Sequence, residues 1–255
     1  MRKFILLIVA VFLFFSHCSI ASAEEIETDL LSNTLFLGDS LTVGINNTVD
    51  LESYGAVVDA KVSRNINQCS EAAKKYTNFK RVIIGIGTNN YGTEPSTFSK
   101  QYQELIDIVV ANNPEADIFI NTIPGVNEVK AKHCGYYIKN YHVDEKNSLI
   151  KELATSNKLY CMDINTYLGE ITMDDTSDGL HMNGKIYEKW FNFINSEVMR
   201  IERHKIREQA IEINLVPETP PARELPPKPE KSFGEFFINK LVSNVISSLL
   251  FIFFF

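Results

Sequence analysis

The alternation of short apolar runs with amphipathic stretches between Asn33 and about Arg200 constrains the fold more than any other feature of this chain. The apolar runs are rich in β-branched residues and end at glycine or polar residues, which is typical of buried strands. Strands that alternate with helices predict βαβ units, and hence a parallel sheet covered by helices on both faces. The five predicted strands are Thr34–Leu37, Ala56–Val62, Arg81–Ile86, Ala116–Asn121 and Lys158–Met162.

Three of the intervening stretches have helical periodicity with one apolar face. They are Ser96–Asn112, which Pro114 ends, together with Tyr137–Ser156 and Lys185–Arg200. The inward face predicted for the first consists of Tyr102, Leu105, Ile106, Val109 and Val110. The inward face predicted for the last consists of Tyr187, Trp190, Phe191 and Ile194.

The N-terminal residues 1–23 have the three parts of a secretory signal. Arg2 and Lys3 precede an apolar run, and the small residues Ala21-Ser22-Ala23 precede Glu24. We therefore expect an exported protein, extracellular or at the cell surface, with cleavage after Ala23 and a linker over residues 24–33. An uncleaved N-terminal anchor is the alternative.

The C-terminal part changes character after the globular region, which we place at residues 34–200. We expect a helical extension over 201–216, a proline-rich extended linker over 217–231 and a hydrophobic tail over 232–255. The last twenty residues, 236–255, would span about 30 Å as a helix, which is one bilayer core. We expect membrane contact through this tail; a segment lying in the interface and a truncated reading frame are the alternatives.

The composition excludes several classes of protein. With 45% hydrophobic and 22% charged residues the chain is neither disordered nor fibrous. A net charge of −7 without a basic run argues against a nucleic-acid partner. Four cysteines, with no CxxC or Cys/His cluster, predict neither a disulfide scaffold nor a metal site, and we expect no cofactor. A bond between Cys69 and Cys134 stays open, and His133, His142 and His204 are expected at the surface.

Polar motifs follow the first and the third predicted strands, and a third motif lies in a polar loop after the fifth strand. In parallel sheets, functional residues lie at the carboxyl ends of the strands. The three motifs are Gly38-Asp39-Ser40-Leu41, Gly87-Thr88-Asn89-Asn90 and Asp178-Gly179-Leu180-His181. Serine hydrolysis needs a nucleophile, a base, a carboxylate that orients the base and donors for the oxyanion. Ser40, His181, Asp178 and Asn89 have the side chains for these four roles.

In that order and at these separations, the three motifs resemble the signature blocks of SGNH (GDSL-type) hydrolases. The resemblance covers roughly residues 34–196 and includes the segment 181–190. It implies an α/β fold, a three-layer α/β/α sandwich around a five-stranded, parallel, flavodoxin-like sheet. It also implies Ser40 as nucleophile, His181 as base, Asp178 as orienting carboxylate and Asn89 as oxyanion donor. No GxSxG surrounds Ser40, which disfavours an α/β-hydrolase.

The second block of the family departs from its pattern here. The family places a glycine there whose backbone N–H completes the oxyanion hole, and this chain has Ser63 at the matching position. A backbone N–H survives the change, so the oxyanion hole is predicted to consist of Ser40, Ser63 and Asn89. Gly55 is the alternative, but it precedes the strand. The segment Val62-Ser63-Arg64 is also similar to SGNH domains of bacterial cell-wall O-acetyltransferases and surface esterases.

Simpler interpretations of the same residues stay open. Ser40 could be only the N-cap of the helix that follows it, and Asp39 is expected to make local hydrogen bonds in the turn. Asp174 or Asp175 could orient the histidine in place of Asp178. Asn121, in the fourth block, has no assigned role.

Together these features predict an exported serine esterase that hydrolyses small acyl esters, with acetyl on a carbohydrate or cell-surface glycan as the expected substrate. The alternatives are an O-acyltransferase that uses the same triad and a non-catalytic glycan-binding module on the same fold.

Overall fold

The computed structural model describes residues 31–215, and those up to Arg207 belong to a first compact unit. The predicted signal over residues 1–23, the proline-rich linker and the hydrophobic tail lie outside the described residues. Within residues 31–215, no helix combines the length and apolar character needed to cross a membrane.

A single five-stranded parallel sheet forms the centre of the first unit, in the order β2-β1-β3-β4-β5. The strands are β1 Thr34–Gly38, β2 Val57–Ala60, β3 Arg81–Gly85, β4 Asp117–Asn121 and β5 Tyr160–Met162. All five predicted strands are confirmed, each within two residues at either end. The parallel arrangement follows because a helix crosses over between successive strands.

Seven α-helices and three 3-10 turns connect the strands of the described region. The helices are α1 Ser40–Val49, α2 Ile66–Ala73, α3 Pro95–Asn112, α4 Glu128–His133, α5 Asn140–Ser156, α6 Ile164–Leu168 and α7 Gly184–Leu215. The 3-10 turns are Leu51–Tyr54, Thr88–Asn90 and Met173–Asp175. The helix predicted from Tyr137 begins only at Asn140, because residues 134–139 form a loop. The short helices α2, α4 and α6 escaped prediction because so few turns carry little periodicity.

Each face of the sheet buries its own core, which confirms the three-layer α/β/α architecture. Alternate strand residues such as Leu35, Leu37 and Ile84 pack in one core with residues of α2, α3 and α5. Their neighbours Phe36 and Ile83 pack in the other core with residues of α1 and α7.

The predicted inward faces of the helices are confirmed with one exception. Tyr102, Leu105, Ile106 and Val109 of α3 are buried, and so are the four residues predicted for α7. Val110 is 40% exposed, so its assignment to the core was wrong. One residue corresponds to a rotation of about 100° around the helix, which turns Val110 away from the face that Val109 buries.

Burial settles the disulfide that the sequence left open and corrects the expectation for one histidine. Cys69 lies in the core and Cys134 on the surface, both as free thiols, so they form no disulfide. His133 and His204 are exposed as expected, whereas His142 is half-buried because its ring packs between Tyr91 and Tyr141.

Candidate active site

The strand register brings three of the predicted site residues to one edge of the sheet. Gly38 at the end of β1 pairs with Ala60 of β2 on one side and with Gly85 of β3 on the other. Ser40, Ser63 and Asn89 follow these three strand ends by only a few residues. The loops that carry them therefore meet at the carboxyl edge of the sheet.

Asp39, and not Ser40, is the N-cap of helix α1. Its Oδ1 accepts a hydrogen bond of 3.0 Å from the backbone N–H of Leu41. The interpretation of Ser40 as a mere N-cap is therefore wrong, and the local hydrogen bond expected of Asp39 is confirmed. The Ser40 hydroxyl is not the helix cap, and it lies 2.9 Å from His181 Nε2.

Gly38 permits this tight passage from strand to helix. A Cβ at Gly38 would lie 1.9 Å from Thr42 Oγ1 and 2.9 Å from the Gly85 carbonyl oxygen. Both contacts are too short for any side chain, so only glycine lets α1 begin directly over the end of β1.

His181 and Asp178 form the second half of a hydrogen-bonded relay. His181 Nδ1 lies 2.7 Å from Asp178 Oδ2, and Asp178 Oδ1 accepts from the backbone N–H groups of Leu180 and His181. Partial burial acts to raise the pKa of Asp178, but these hydrogen bonds outweigh it and hold the pKa below its ordinary value. An ionised carboxylate only accepts, so Nδ1 carries the imidazole proton and Nε2 offers its lone pair to Ser40.

Several contacts fix the loop that carries this pair. The His181 carbonyl accepts from Thr176 Oγ1 at 2.6 Å, and the Tyr187 hydroxyl of α7 accepts from the N–H of Met182. Gly179 has a positive φ of 91°, and a Cβ there would lie 2.1 Å from the backbone nitrogen of Ala131. The glycine thus lets the loop pack directly against α4.

Asp174 and Asp175 do not take the place of Asp178. Both lie in the 3-10 turn Met173–Asp175, where Asp175 Oδ2 accepts from the hydroxyl and N–H of Thr172. The carbonyl of Asp174 accepts from the side chain of Asn183. Of the three candidate carboxylates, Asp178 is the one in contact with His181.

Ser63 occupies the left-handed position of a β-turn. The Arg64 N–H donates to the Lys61 carbonyl at 3.2 Å, which closes a turn whose third residue is Ser63, with φ of 61°. A positive φ at this position explains why a glycine is expected there. The backbone N–H of Ser63 donates to no other atom of residues 31–215. Gly55 ends the 3-10 turn Leu51–Tyr54, before β2 begins.

Arg64 is a positioning residue that the sequence did not reveal. Its guanidinium donates to the carbonyl of Asp59 at 2.6 Å, to Asp59 Oδ1 at 2.6 Å and to the Gly38 carbonyl at 3.4 Å. The carbonyl of Arg64 in turn accepts from Asn89 Nδ2 at 3.0 Å. The Arg64 side chain is 9% exposed. The sequence signal for this ion pair is an arginine five residues after an aspartate on a predicted strand.

Asn90, next to Asn89, has a structural role. Its Oδ1 accepts from the Ile66 N–H at 3.0 Å, at the beginning of α2. The two adjacent asparagines therefore differ, because Asn89 is exposed at the sheet edge while Asn90 is buried.

Three buried polar atoms belong to residues that line a small cavity of about 10 Å³ next to the start of α1. They are Asp39 Oδ2, Asn121 Oδ1 and Trp190 Nε1, and none has a hydrogen-bond partner among residues 31–215. Burial raises the pKa of Asp39 to about 6, although the hydrogen bond from the Leu41 N–H and the nearby His181 oppose this. Asn121, which had no assigned role, belongs to this buried polar group.

Similarity to known proteins agrees with this architecture. A "GDSL-like lipase" from Bacteroides thetaiotaomicron has 17% identity and a TM-score of 0.57, covering 66% of this chain and 88% of its own. A "lipase/acylhydrolase" from Enterococcus faecalis has 16% identity and a TM-score of 0.54, covering 65% of this chain and 94% of its own. At these identities the likeness concerns the fold.

One curated relative matches part of the chain. It is the "Putative peptidoglycan O-acetyltransferase YrhL" of Bacillus subtilis (strain 168), which is 30% identical over 100 residues. The match covers 35% of this chain and spans only 16% of the relative's length.

The GDSL-like Lipase/Acylhydrolase family matches residues 36–189, which contain Ser40, Ser63, Asn89, Asp178 and His181. This match extends over more than half of the chain. The chain therefore belongs to the GDSL-like lipase/acylhydrolase (SGNH) family of ester hydrolases.

Proposed function

We propose that this acylhydrolase is an exported serine esterase that removes small acyl groups, acetyl above all, from the hydroxyl groups of carbohydrates. The observation that carries the serine mechanism is the relay from Ser40 Oγ through His181 to Asp178, with distances of 2.9 and 2.7 Å. Such a relay transfers the serine proton without any metal or organic cofactor.

In the first half of the reaction Ser40 Oγ attacks the ester carbonyl carbon while its proton moves to His181 Nε2. Asp178 stabilises the imidazolium that forms, and the carbonyl oxygen becomes an oxyanion. The N–H groups of Ser40 and Ser63 and the amide of Asn89 are the proposed donors to that oxyanion. The intermediate then collapses, the C–O bond to the alcohol breaks, and His181 returns the proton to the leaving alcohol.

In the second half a water molecule attacks the acyl-enzyme. His181 accepts the proton of this water, the carboxylic acid leaves, and Ser40 regains its proton. The start of α1 assists both halves, because the positive end of a helix dipole lies beside the reacting oxygen.

Two lines of support lead to the substrate and the compartment. The segment Val62-Ser63-Arg64 is similar to cell-wall O-acetyltransferase domains, and the partial relative is named for O-acetyl transfer to peptidoglycan. The signal-like pattern of residues 1–23 supports export. An acetyl ester on a glycan outside the cell is a substrate that agrees with both lines of support.

Hydrolysis of p-nitrophenyl acetate, butyrate and octanoate by the full chain in mild detergent tests the proposal, with Ser40→Ala in parallel. We expect acetate to be the best substrate and Ser40→Ala to lose activity to background while keeping the same melting temperature. Equal rates for the two proteins, both folded, would exclude a serine esterase and favour a glycan-binding module. A preference for octanoate would exclude the small-acyl substrate.

Acyl transfer is the second candidate, because the partial relative is named as an O-acetyltransferase. The same acyl-enzyme can pass its acyl group to a sugar hydroxyl in place of water. Product analysis with p-nitrophenyl acetate and an oligosaccharide acceptor separates the two. Free acetate alone supports hydrolysis, whereas acetylated acceptor in excess over acetate supports transfer.

A further inference from the structure

Three of the four exposed tyrosines in residues 31–215 lie within one short segment beside the relay. Tyr136 is 36% exposed, Tyr137 72% and Tyr141 67%. Single exposed rings are ordinary on a protein surface, but rings that cluster indicate a surface that binds something.

Tyr136 contacts the relay directly. Its ring meets the imidazole of His181 edge to face, with the ring centroids 6.3 Å apart and an angle of 72° between the planes. The loop that carries Tyr136 is held in place at both ends. The Tyr136 N–H donates to the Ala131 carbonyl at 2.9 Å, Ile138 is buried, and Lys139 pairs with Glu128 at 2.8 Å.

A second row of rings leads away from the oxyanion loop. Tyr91 directly follows the 3-10 turn that carries Asn89, and its ring lies 5.8 Å from that of His142. The His142 ring lies 4.0 Å from that of Tyr141. We call the set Tyr91, Tyr136, Tyr137, Tyr141 and His142 the aromatic rim.

The chemistry of the aromatic rim suits a saccharide. The face of an aromatic ring carries negative charge density, which attracts the polarised C–H groups on the flat face of a sugar ring. The tyrosine hydroxyls can hydrogen-bond to sugar hydroxyls at the same time. A lipid acyl chain instead needs a groove that encloses most of its surface, and rings exposed by 36–72% do not enclose one.

We infer that the aromatic rim is the sugar-binding surface of the active site, on which the glycan that carries the ester lies with its C–H faces against the rings. The inference rests on the proposed function, which supplies the ester chemistry at Ser40. It adds the size of the alcohol, a saccharide of more than one residue, and names the side chains that recognise it.

The experiment compares two substrates of the full chain, p-nitrophenyl acetate and O-acetylated chitotetraose, a linear oligomer of N-acetylglucosamine. The variants are Tyr136→Ala, Tyr136→Phe and Tyr141→Ala. Tyr167→Ala is the matched control, because Tyr167 is 42% exposed but stacks on Phe193 of α7, outside the aromatic rim. The readout is the ratio of kcat/KM on the saccharide ester to kcat/KM on p-nitrophenyl acetate.

We expect Tyr136→Ala and Tyr141→Ala each to lower this ratio about three- to tenfold, the contribution of one aromatic contact. Tyr136→Phe keeps the ring and should retain most of the ratio, and Tyr167→Ala should leave it unchanged. An unchanged ratio in both alanine variants overturns the inference, and so does a wild type that hydrolyses only p-nitrophenyl acetate; both leave the esterase standing. A wild type that hydrolyses neither substrate overturns the proposed function itself.

Discussion

The backbone carbonyl of Arg64 accepts a hydrogen bond of 3.0 Å from the side-chain amide of Asn89. This contact joins the loop after β2 to the loop after β3 across the end of β1. It occupies one of the two N–H groups of the Asn89 amide and fixes the direction of the other. The residue that orients Asn89 also borders Ser63, so one arginine links two proposed donors of the oxyanion hole.

Replacement of Asn89 should slow catalysis without changing substrate binding. Loss of one oxyanion donor typically lowers kcat by about 10²- to 10³-fold, because the donor acts on charge that develops only in the transition state. We expect this for Asn89→Ala and for the nearly isosteric Asn89→Asp, measured as kcat and KM on p-nitrophenyl acetate. A rise in KM at constant kcat would assign Asn89 to binding instead.

Arg64 and Lys75 both pair with Asp59 and form a matched test of positioning. The Arg64 fork is buried, whereas Lys75 reaches Asp59 at 2.9 Å from a side chain that is 63% exposed. Lysine cannot reproduce the arginine fork, so Arg64→Lys should lower kcat/KM about tenfold and the free energy of unfolding by about 1–2 kcal/mol. Lys75→Ala should change neither kcat/KM nor the melting temperature. Equal effects of both variants would contradict a positioning role for Arg64.

Ser63 should tolerate glycine, because only its backbone N–H is needed. Ser63→Gly keeps this N–H and removes the strain that a side chain causes at the positive φ of 61°. The value of kcat/KM should therefore stay within about twofold, and the melting temperature should be equal or higher. Ser63→Val strains the turn, since β-branched residues resist a positive φ, and should lower both quantities. A large loss in Ser63→Gly would instead indicate a role for the hydroxyl.

Asp178 can be separated from its neighbouring carboxylates by substitution. Asp178→Asn would favour the wrong tautomer of His181. We expect it to lower kcat by about 10⁴-fold, the loss that this change causes in serine proteases. Asp174→Asn and Asp175→Asn should remain within about twofold of the wild type, since neither contacts His181. Comparable losses in all three variants, measured on p-nitrophenyl acetate, would show that the loop as a whole and not Asp178 is responsible.

The buried carboxyl of Asp39 should make stability depend on pH. Its pKa rises from the ordinary 3.8 to about 6 in the folded protein, so the folded state binds the proton more tightly. This contribution to stability is complete below about pH 4 and is lost as the pH rises through about 6. Asp39→Asn cannot titrate, so relative to the wild type it should gain up to about 3 kcal/mol between pH 4 and 7.

The fluorescence of Trp190, the single tryptophan, reports unfolding of both proteins across this pH range. The Trp190 side chain is buried and lines the same small cavity as Asp39. A difference between wild type and Asp39→Asn that does not vary with pH would show that Asp39 is ionised throughout.

The sequence by itself determined the five strands, the parallel sheet and the family, because these depend on local patterns. Apolar runs are visible at any position in a fold, and the motifs around Ser40, Asn89 and His181 stand at strand ends that the runs define. The order of the three motifs indicated one site, and the structure brings Ser40 within hydrogen-bond distance of His181 across 141 positions of the chain. Their catalytic roles stay predictions for the variants above to test.

Only the tertiary structure decided which side chains meet. That Asp39 caps α1, that Asp178 rather than Asp174 or Asp175 contacts His181, and that Arg64 orients Asn89 depend on packing between distant segments. The aromatic contact of Tyr136 with His181 has no signal in the sequence at all, because a loop residue carries no periodicity. Local patterns determine the elements, whereas the partners of a polar or aromatic side chain are set by which elements the fold packs together.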